Sequence, residues 1–376
     1  EGLALNEAVD MAIAADPWLT GSRHTQAALT DEATAAATLP DPRMTLMAGN
    51  FPVDSFDINQ EPMTQLSVGI SQMFPRGDTL VLAQRKKLEL ALQHPLLRED
   101  RRARVTATVA QLWLDAYNAQ ESIRVIEQDR GLFEHLVDAA EASYATAVGR
   151  ARQQDVIRAQ LELTRLEDRL TALRQRQETA QMRLSEWIGS RADDRLTSAL
   201  PTDSPAAQVK TQDSEQEWYE RVSHHPTLLA LDKRIEAMDT DVDLARQKYK
   251  PEWGLTAQYG YRDRDLMGRD RADLFSVGVT FDLPLFTANR QDREVSAAVG
   301  HADQLLPQMS EQAEAALAAY NNDDGDFAEA VRARIAELNA RIEALVIAVE
   351  RQKTIVQINY LLARASPDSA QPVDNY

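Results

Sequence analysis

The sequence predicts a mixed α/β fold in which long helical hairpins are joined to short strands, laid out as an internal two-fold repeat. Three observations predict it. Matched segments recur at one constant offset, long stretches are almost free of glycine and proline, and a few stretches alternate apolar with polar residues. A repeat is settled before local elements, because it constrains all of them together.

The segment EAVDMAIAADPWL around Pro17 is echoed by EWYERVSHHPTLL around Pro226, 209 positions later. Pro42 and Pro251, Gly69 and Gly278, and Pro75 and Pro284 keep the same offset of 209, and LSVGISQMFP (66–75) aligns with FSVGVTFDLP (275–284). The first repeat is 1–189. It opens with a helix over about 3–38, carrying Leu5, Val9 and Ile13 on one face with Pro17 interrupting its early turns. Strands over 43–51 and 64–74 follow, separated by a polar loop at Pro52-Val53-Asp54-Ser55, and then a long helical hairpin over 79–188. Within that hairpin Pro95, Gly131 and Gly149 are the main interruptions, and Gly149 reads as the turn. Leu163, Leu166, Leu170 and Leu173 are spaced 3-4-3, the periodicity of a coiled-coil seam. Residues 190–213, with Pro201 and Pro205 among Ser, Asp and Thr, read as a linker. The second repeat, 214–366, has a helix over about 214–248, strands over 252–262 and 274–283, and a shortened helical hairpin; 367–376 is a tail.

Composition narrows the function classes. The chain has 376 residues, 44% of them hydrophobic, and a net charge of −18, which repels a phosphate backbone and disfavours nucleic acid as a partner. Cysteine is absent, so within these residues there is no disulfide, thiol catalysis or cysteine-bound zinc. No run approaches 18 apolar residues, so a transmembrane helix is not expected. A membrane β-barrel stays open, since its strands are short and only half apolar.

The strands carry that possibility. Phe275, Val277, Val279, Phe281 and Leu283 alternate with Ser276, Gly278, Thr280 and Asp282. Leu66, Val68, Ile70 and Phe74 fall on one face of their strand, and Trp253, Leu255, Ala257, Tyr259 and Tyr261 alternate likewise. Period two gives each strand one apolar and one polar face, and about ten residues suffice to cross a bilayer at a barrel's tilt. Four strands cannot close a barrel, and unpaired edges are intolerable in hydrocarbon, so membrane strands would require several copies. Two water-soluble alternatives remain at this point: an antiparallel sheet covered by helices, and an elongated coiled-coil scaffold that presents helical faces to partners.

The text LNEAVDMAIAADPWL, LPDPRMTLMAGNFPVDSF, EPMTQLSVGISQMFPRGD, SYATAVGRARQQDVIRAQLEL, HPTLLALDKRIEAMDTDVDLARQKYKPEWGLTAQYGY and FSVGVTFDLPLFTANRQDREV resembles the TolC family of outer-membrane efflux proteins, closest in texture to its heavy-metal cation branch. The resemblance covers nearly the whole chain. It implies a homotrimer whose copies each supply four strands to one β-barrel in the Gram-negative outer membrane, with the hairpins forming a periplasmic α-barrel. It further implies a passive exit duct, for heavy-metal cations or, in the drug-exporting relatives, for small molecules. A periplasmic adaptor (membrane fusion) protein and an inner-membrane efflux pump would be the partners. No enzymatic activity and no cofactor are implied. The tip or partner-contact positions it suggests are Tyr144, Gly149 and Asp155, with Tyr320 and Asp324 at the second tip. The lipid-facing positions are Leu66, Val68, Ile70, Phe74, Phe275, Val277, Val279, Phe281 and Leu283. Family members are often lipid-anchored through an N-terminal cysteine, which these residues do not contain.

One departure concerns the second hairpin. Gly149 and Gly325 are 176 positions apart rather than 209, a deficit of 33 residues after about Val299. The expectation is that the native gene encodes a further helix-forming segment there, because a descending helix shorter by about 50 Å cannot accompany its partner to the tip.

Other chemistry is sparse. His224-His225 suggests a metal pair, but no third ligand stands at useful spacing, and a surface or capping role is the plainer reading. Met44, Met47, Met63 and Met73 cluster around the first strand pair, either lining a path for soft ions or filling gaps and facing lipid. Gly77 and Gly69 read as turn and strand glycines. The acidic excess, repeated in three copies, would favour cations wherever it faces a lumen.

Overall fold

The computed structural model describes residues 2–145, 153–200, 223–303, 331–361 and 363. The chain divides into two compact units, each drawing on both sequence halves: 1–22, 95–229 and 320–376 in the first, 23–94 and 230–319 in the second.

The elements run α1 (Leu5–Ala15), α2 (Pro17–Ala36), β1 (Arg43–Gly49), β2 (Gln65–Phe74), α3 (Thr79–Ala145), α4 (Gln153–Ile188), a 3₁₀ turn (Gly189–Asp193), α5 (Pro226–Gln247), β3 (Trp253–Tyr261), β4 (Leu274–Phe281), α6 (Gln291–Asp303) and α7 (Val331–Leu361). Pro17 and Pro226 each occupy the first helical position. There the missing N–H costs nothing and the fixed φ suits a helix.

In the first unit, a core gathers Ala8 and Ala12 of α1, Val105, Val109, Trp113 and Leu114 of α3, Leu184 and Ile188 of α4, and Val349 and Val356 of α7. Trp113 is fully buried and stacks on Tyr117 at 5.2 Å with a 12° interplanar angle. Its Nε1–H donates to the Leu3 carbonyl at 3.2 Å, and the Tyr117 hydroxyl donates to Ser198 O at 3.0 Å. Both aromatics thus find a partner for their polar atom when buried. Leu3 pairs in parallel with Leu196, and Gln120 brackets Leu196 by donating to its carbonyl at 3.1 Å and accepting from its N–H at 3.0 Å. The opening of the stretch read as a linker is therefore packed, with Ala192 and Leu196 in the core.

A second cluster joins Ile123 and Ile126 of α3 to Leu166 and Leu170 of α4 and Ile342 of α7, flanked by Leu163 and Leu173. These four leucines are the 3-4-3 series, and the seam they make lies within the chain. Of the apolar series in the last helix, Ile342 and Val349 are buried and Leu345 packs beside them.

The second unit holds the only sheet among the described residues, antiparallel in the order β1-β2-β3-β4. Helix packing here is partly polar: buried Glu89 accepts from Thr240 Oγ1 at 2.8 Å and from Arg85 Nε at 2.6 Å, and Lys86 pairs with Asp241 at 2.6 Å.

Candidate functional site

The register of the sheet sorts its side chains into two faces. Leu46, Val68, Tyr259 and Phe275 stand in one cross-strand row, and Met44, Ile70, Ala257 and Val277 in the next. Rows beyond are Ala48-Leu66-Tyr261 on one side, and Gln72-Leu255-Val279 and Phe74-Trp253-Phe281 on the other. Of the members of these five rows, only Gln72 is hydrophilic. The face is bare: Met44, Leu46, Phe275 and Val277 are 73%, 75%, 71% and 62% exposed. At about 3.4 Å per residue, five alternate rows span roughly 27 Å along the strands, or ~20 Å at a 40° tilt. Aromatic residues mark both ends of the band. Trp253 packs on Phe281 at 4.9 Å near the helices, and Tyr259 and Tyr261 lie toward the loops.

The opposite face carries Thr45, Ser67, Ser71, Thr256, Gln258, Ser276 and Thr280 among glycines. All the strand positions expected to face lipid share the apolar face and are exposed; Leu283 is exposed too, just past the end of β4. The outer edges of β1 and β4 pair with nothing among the described residues.

The methionines do not converge. Met44 lies on the apolar face, Met47 and Met73 lie on the polar face in rows near its opposite ends, and Met63 sits in the β1–β2 loop.

Arginines that sequence reasoning passed over brace both ends of the sheet. Toward the helices, Arg76 donates to Lys250 O at 2.8 Å and forms a two-point pair with Asp282, while Lys250 pairs with Asp78 at 2.8 Å. Glu252 N–H donates to Asp282 at 2.7 Å. These contacts hold the Asp282 carboxyl below its ordinary range, the Glu252 amide first and Arg76 next. Gly77 sits in that turn at φ +46°, and a Cβ there would strike the Lys250 stem, so both backbone and space require glycine. At the other end, Arg271 donates to Glu61 O at 2.9 Å and Asn59 O at 3.0 Å, and Arg262 donates to Pro62 O at 3.3 Å. The two strand-connecting loops are thereby tied together. Asp265 organises the second loop: it accepts from the amides of Met267 and Arg269, both at 2.9 Å, and from Arg269 Nε at 2.8 Å. The Arg269 amide above all holds its carboxyl below the ordinary range. The alternation of Arg and Asp over 262–273 was the available signal for this loop, and it reads only as polarity without the fold.

In the first unit, positions 209 apart perform one task. Asp16 caps α2 by accepting from Trp18 N–H at 3.0 Å, and Arg101 Nε holds its other oxygen at 2.7 Å. His225 caps α5 by accepting from Thr227 N–H at 3.3 Å through Nδ1. That bond puts the ring proton on Nε2, which faces Tyr360 O at 3.2 Å. Adjacent Asp100 accepts from Thr227 Oγ1 at 2.7 Å, from Tyr360 Oη at 3.3 Å and from Arg104 at 2.8 Å. Burial first, and then the Asp100 charge, raise the Tyr360 hydroxyl pKa. The His225 ring thus serves as a cap with both nitrogens engaged, the role read for it from the proline that follows.

Tyr144 is the penultimate residue of α3, and Asp155 lies in the first turn of α4, so the two occupy consecutive helix ends. Gly149, Tyr320 and Asp324, and the site of the 33-residue deficit beyond Asp303, lie outside the described residues. Among the described residues no group of three His, Asp or Glu side chains is placed to hold a metal ion, and no helix is long and apolar enough to cross a membrane.

No family-wide sequence profile matches the chain. Outer membrane efflux protein BepC of Brucella suis biovar 1 (strain 1330) is 26% identical over 221 residues, covering 58% of this chain and 44% of that protein. The match therefore spans less than half the length of that relative. Solved structures superpose over far more of the chain. The Campylobacter jejuni CmeC outer membrane channel gives a TM-score of 0.67 at 14% identity, covering 99% of this chain and 87% of that one. CusC, solved in a study of folding and transmembrane channel formation, gives 0.70 at 13% identity over 96% and 92%. The outer membrane protein VceC of Vibrio cholerae gives 0.68 at 15% identity over 96% of both chains. From strand register to helix order, the fold of this chain is that of the TolC family of outer-membrane efflux channels.

Proposed function

We propose that the chain is the outer-membrane duct of a tripartite efflux system, a passive conduit in the Gram-negative outer membrane with its helices in the periplasm. The observation that carries this reading is the bare apolar face on a sheet whose two outer edges are unpaired. In water such a face invites aggregation, and in hydrocarbon such edges are prohibitive unless another copy pairs with them. Three copies contributing four strands each would close a twelve-stranded barrel, within the range of outer-membrane barrels. The matched cap positions Asp16 and His225 support descent of the two halves from one duplicated unit. The soluble scaffold reading would require the apolar face to be covered.

A periplasmic adaptor and an inner-membrane pump would supply energy and substrate choice, with Tyr144 and Asp155 near the point of engagement. For cargo we retain heavy-metal cations, on the texture of GNFPVDSF and EPMTQLSVGISQMFP, with small-molecule drugs as the alternative; the dispersed methionines lend the metal reading nothing. The test of the conduit is reconstitution of the full-length protein into lipid vesicles. Trimers that conduct ions are expected, and a monodisperse, detergent-free monomer without lipid affinity overturns the reading. Complementation of a deletion strain, scored against copper, zinc, cadmium and hydrophobic antibiotics, separates the two cargo classes; restored antibiotic but not metal resistance rejects the metal preference.

A further inference from the structure

The polar face of the sheet is almost free of charge. Its positions on β1 to β4 are threonine, serine, glycine, glutamine, methionine and leucine, with one exception. The exception is Arg43, the first residue of β1, which stands across from Ser71 in the row that continues through Thr256 to Gly278. Its neighbours are too small to bury it, and it is exposed. Among the described residues it enters no ion pair. The contrast with Arg76 is direct: Arg76 lies at the same end of the sheet, but Asp282 and Glu252 neutralise it. Asp282, just past the end of β4, is therefore taken, and Asp41, two residues before Arg43, forms no ion pair with it. No acidic residue stands on the polar face of any of the strands.

We propose that Arg43 is a charge-selecting residue of the conduit: three copies form a positive collar at the helix-side end of the barrel, which lowers the passage of free cations and favours neutral or anionic cargo there. The inference rests on the conduit reading above, in which the polar face lines the lumen. Twelve strands spaced ~4.8 Å and tilted ~40° give a backbone radius of roughly 12 Å. A guanidinium on its extended stem reaches about half-way to the axis from that wall. Every part of the lumen at that level then lies within about one screening length of a positive charge, since that length is ≈ 10 Å at 0.1 M salt. Elsewhere on this face only neutral dipoles meet the permeating ion, so no acidic ring cancels the collar at its own level. The acidic excess of the chain is thus excluded from the strand portion of the lumen, contrary to the expectation that it would draw cations through the whole duct.

The experiment is reversal-potential measurement across a tenfold KCl gradient in planar bilayers, using the full-length protein. Arg43→Gln removes three positive charges from a trimer, and Arg43→Glu replaces them with three negative ones. The expected result is a graded shift toward cation preference, Glu beyond Gln, with the chloride-to-potassium permeability ratio falling by about two- to fivefold near 0.1 M salt. The shift should shrink when mean salt is raised to 1 M, where screening acts within about 3 Å. Arg43→Lys, which keeps the charge, should leave the reversal potential unchanged, and Arg43→Gln remains decisive should the Glu variant fail to assemble. Conducting pores with one reversal potential across wild type, Gln and Glu overturn the role of Arg43 while leaving the conduit intact. Wild-type trimers that do not conduct overturn the conduit reading, and this inference with it.

Discussion

Replacing Val277 by arginine tests the membrane assignment of the sheet at its most discriminating point. Val277 lies in the third of the five apolar rows, beside Ala257 and opposite the loop-proximal and helix-proximal aromatics in depth, and its side chain is 62% exposed. In a lipid-embedded barrel that row sits near the bilayer midplane, where a lipid-facing arginine costs about 2–4 kcal/mol. At ~1.4 kcal/mol per decade this weakens folding into the membrane by roughly 30- to 900-fold per chain. Ser276→Arg changes the adjacent residue, whose side chain points to the polar face, and should cost little. In water the order reverses, because a charge at Val277 would relieve an exposed apolar patch and improve solubility. Urea titration of folding into phospholipid vesicles, followed by tryptophan fluorescence and by the folded band in unheated gels, measures both variants. Equal behaviour of Val277→Arg and Ser276→Arg, or a Val277→Arg protein that folds as well as wild type, would refute the reasoning.

The remaining predictions concern the packing that carries the sheet and its caps. Trp113→Ala should destabilise the first unit by about 3–5 kcal/mol, through loss of a fully buried ring and its bond to Leu3 O, as read by denaturant unfolding in detergent. Asp16→Ala should weaken the start of α2 by about 0.5–2 kcal/mol, and Asp16→Asn by less, because the amide oxygen still caps Trp18 N–H; amide exchange in the first turn of α2 reports the difference. The second loop should respond to acid with a defined sign. The Asp265 carboxyl titrates below its ordinary value when folded, so its contribution is present above the unfolded pKa of ≈ 3.9 and is lost as pH falls through the lower folded value. Amide protection at Met267 and Arg269 should therefore persist at pH 5 and collapse in strong acid. Asp265→Asn should show weakened protection already at pH 5.

Period two in FSVGVTFDLP and WGLTAQYGY, the 3-4-3 leucines at 163–173, and prolines recurring 209 apart were enough to determine the strands, the helical seam and the helix starts. These are local consequences of side-chain direction and backbone dihedral, and neighbouring residues alone decide them. The order of the strands, and therefore the alignment of Leu46, Val68, Tyr259 and Phe275 in one row, depends on pairings between segments about 190 residues apart, which alternation within a strand does not specify. For the same reason the arginines remained mute in the sequence. Arg76, Arg262 and Arg271 read as surface charges until Asp282, Pro62, Glu61 and Asn59 are brought to them from the other half of the chain. Arg43 differs from Arg76 only in lacking such a neighbour. Whether a charge is neutralised or left facing a lumen is a property of what surrounds it in space, and tertiary structure alone decided that.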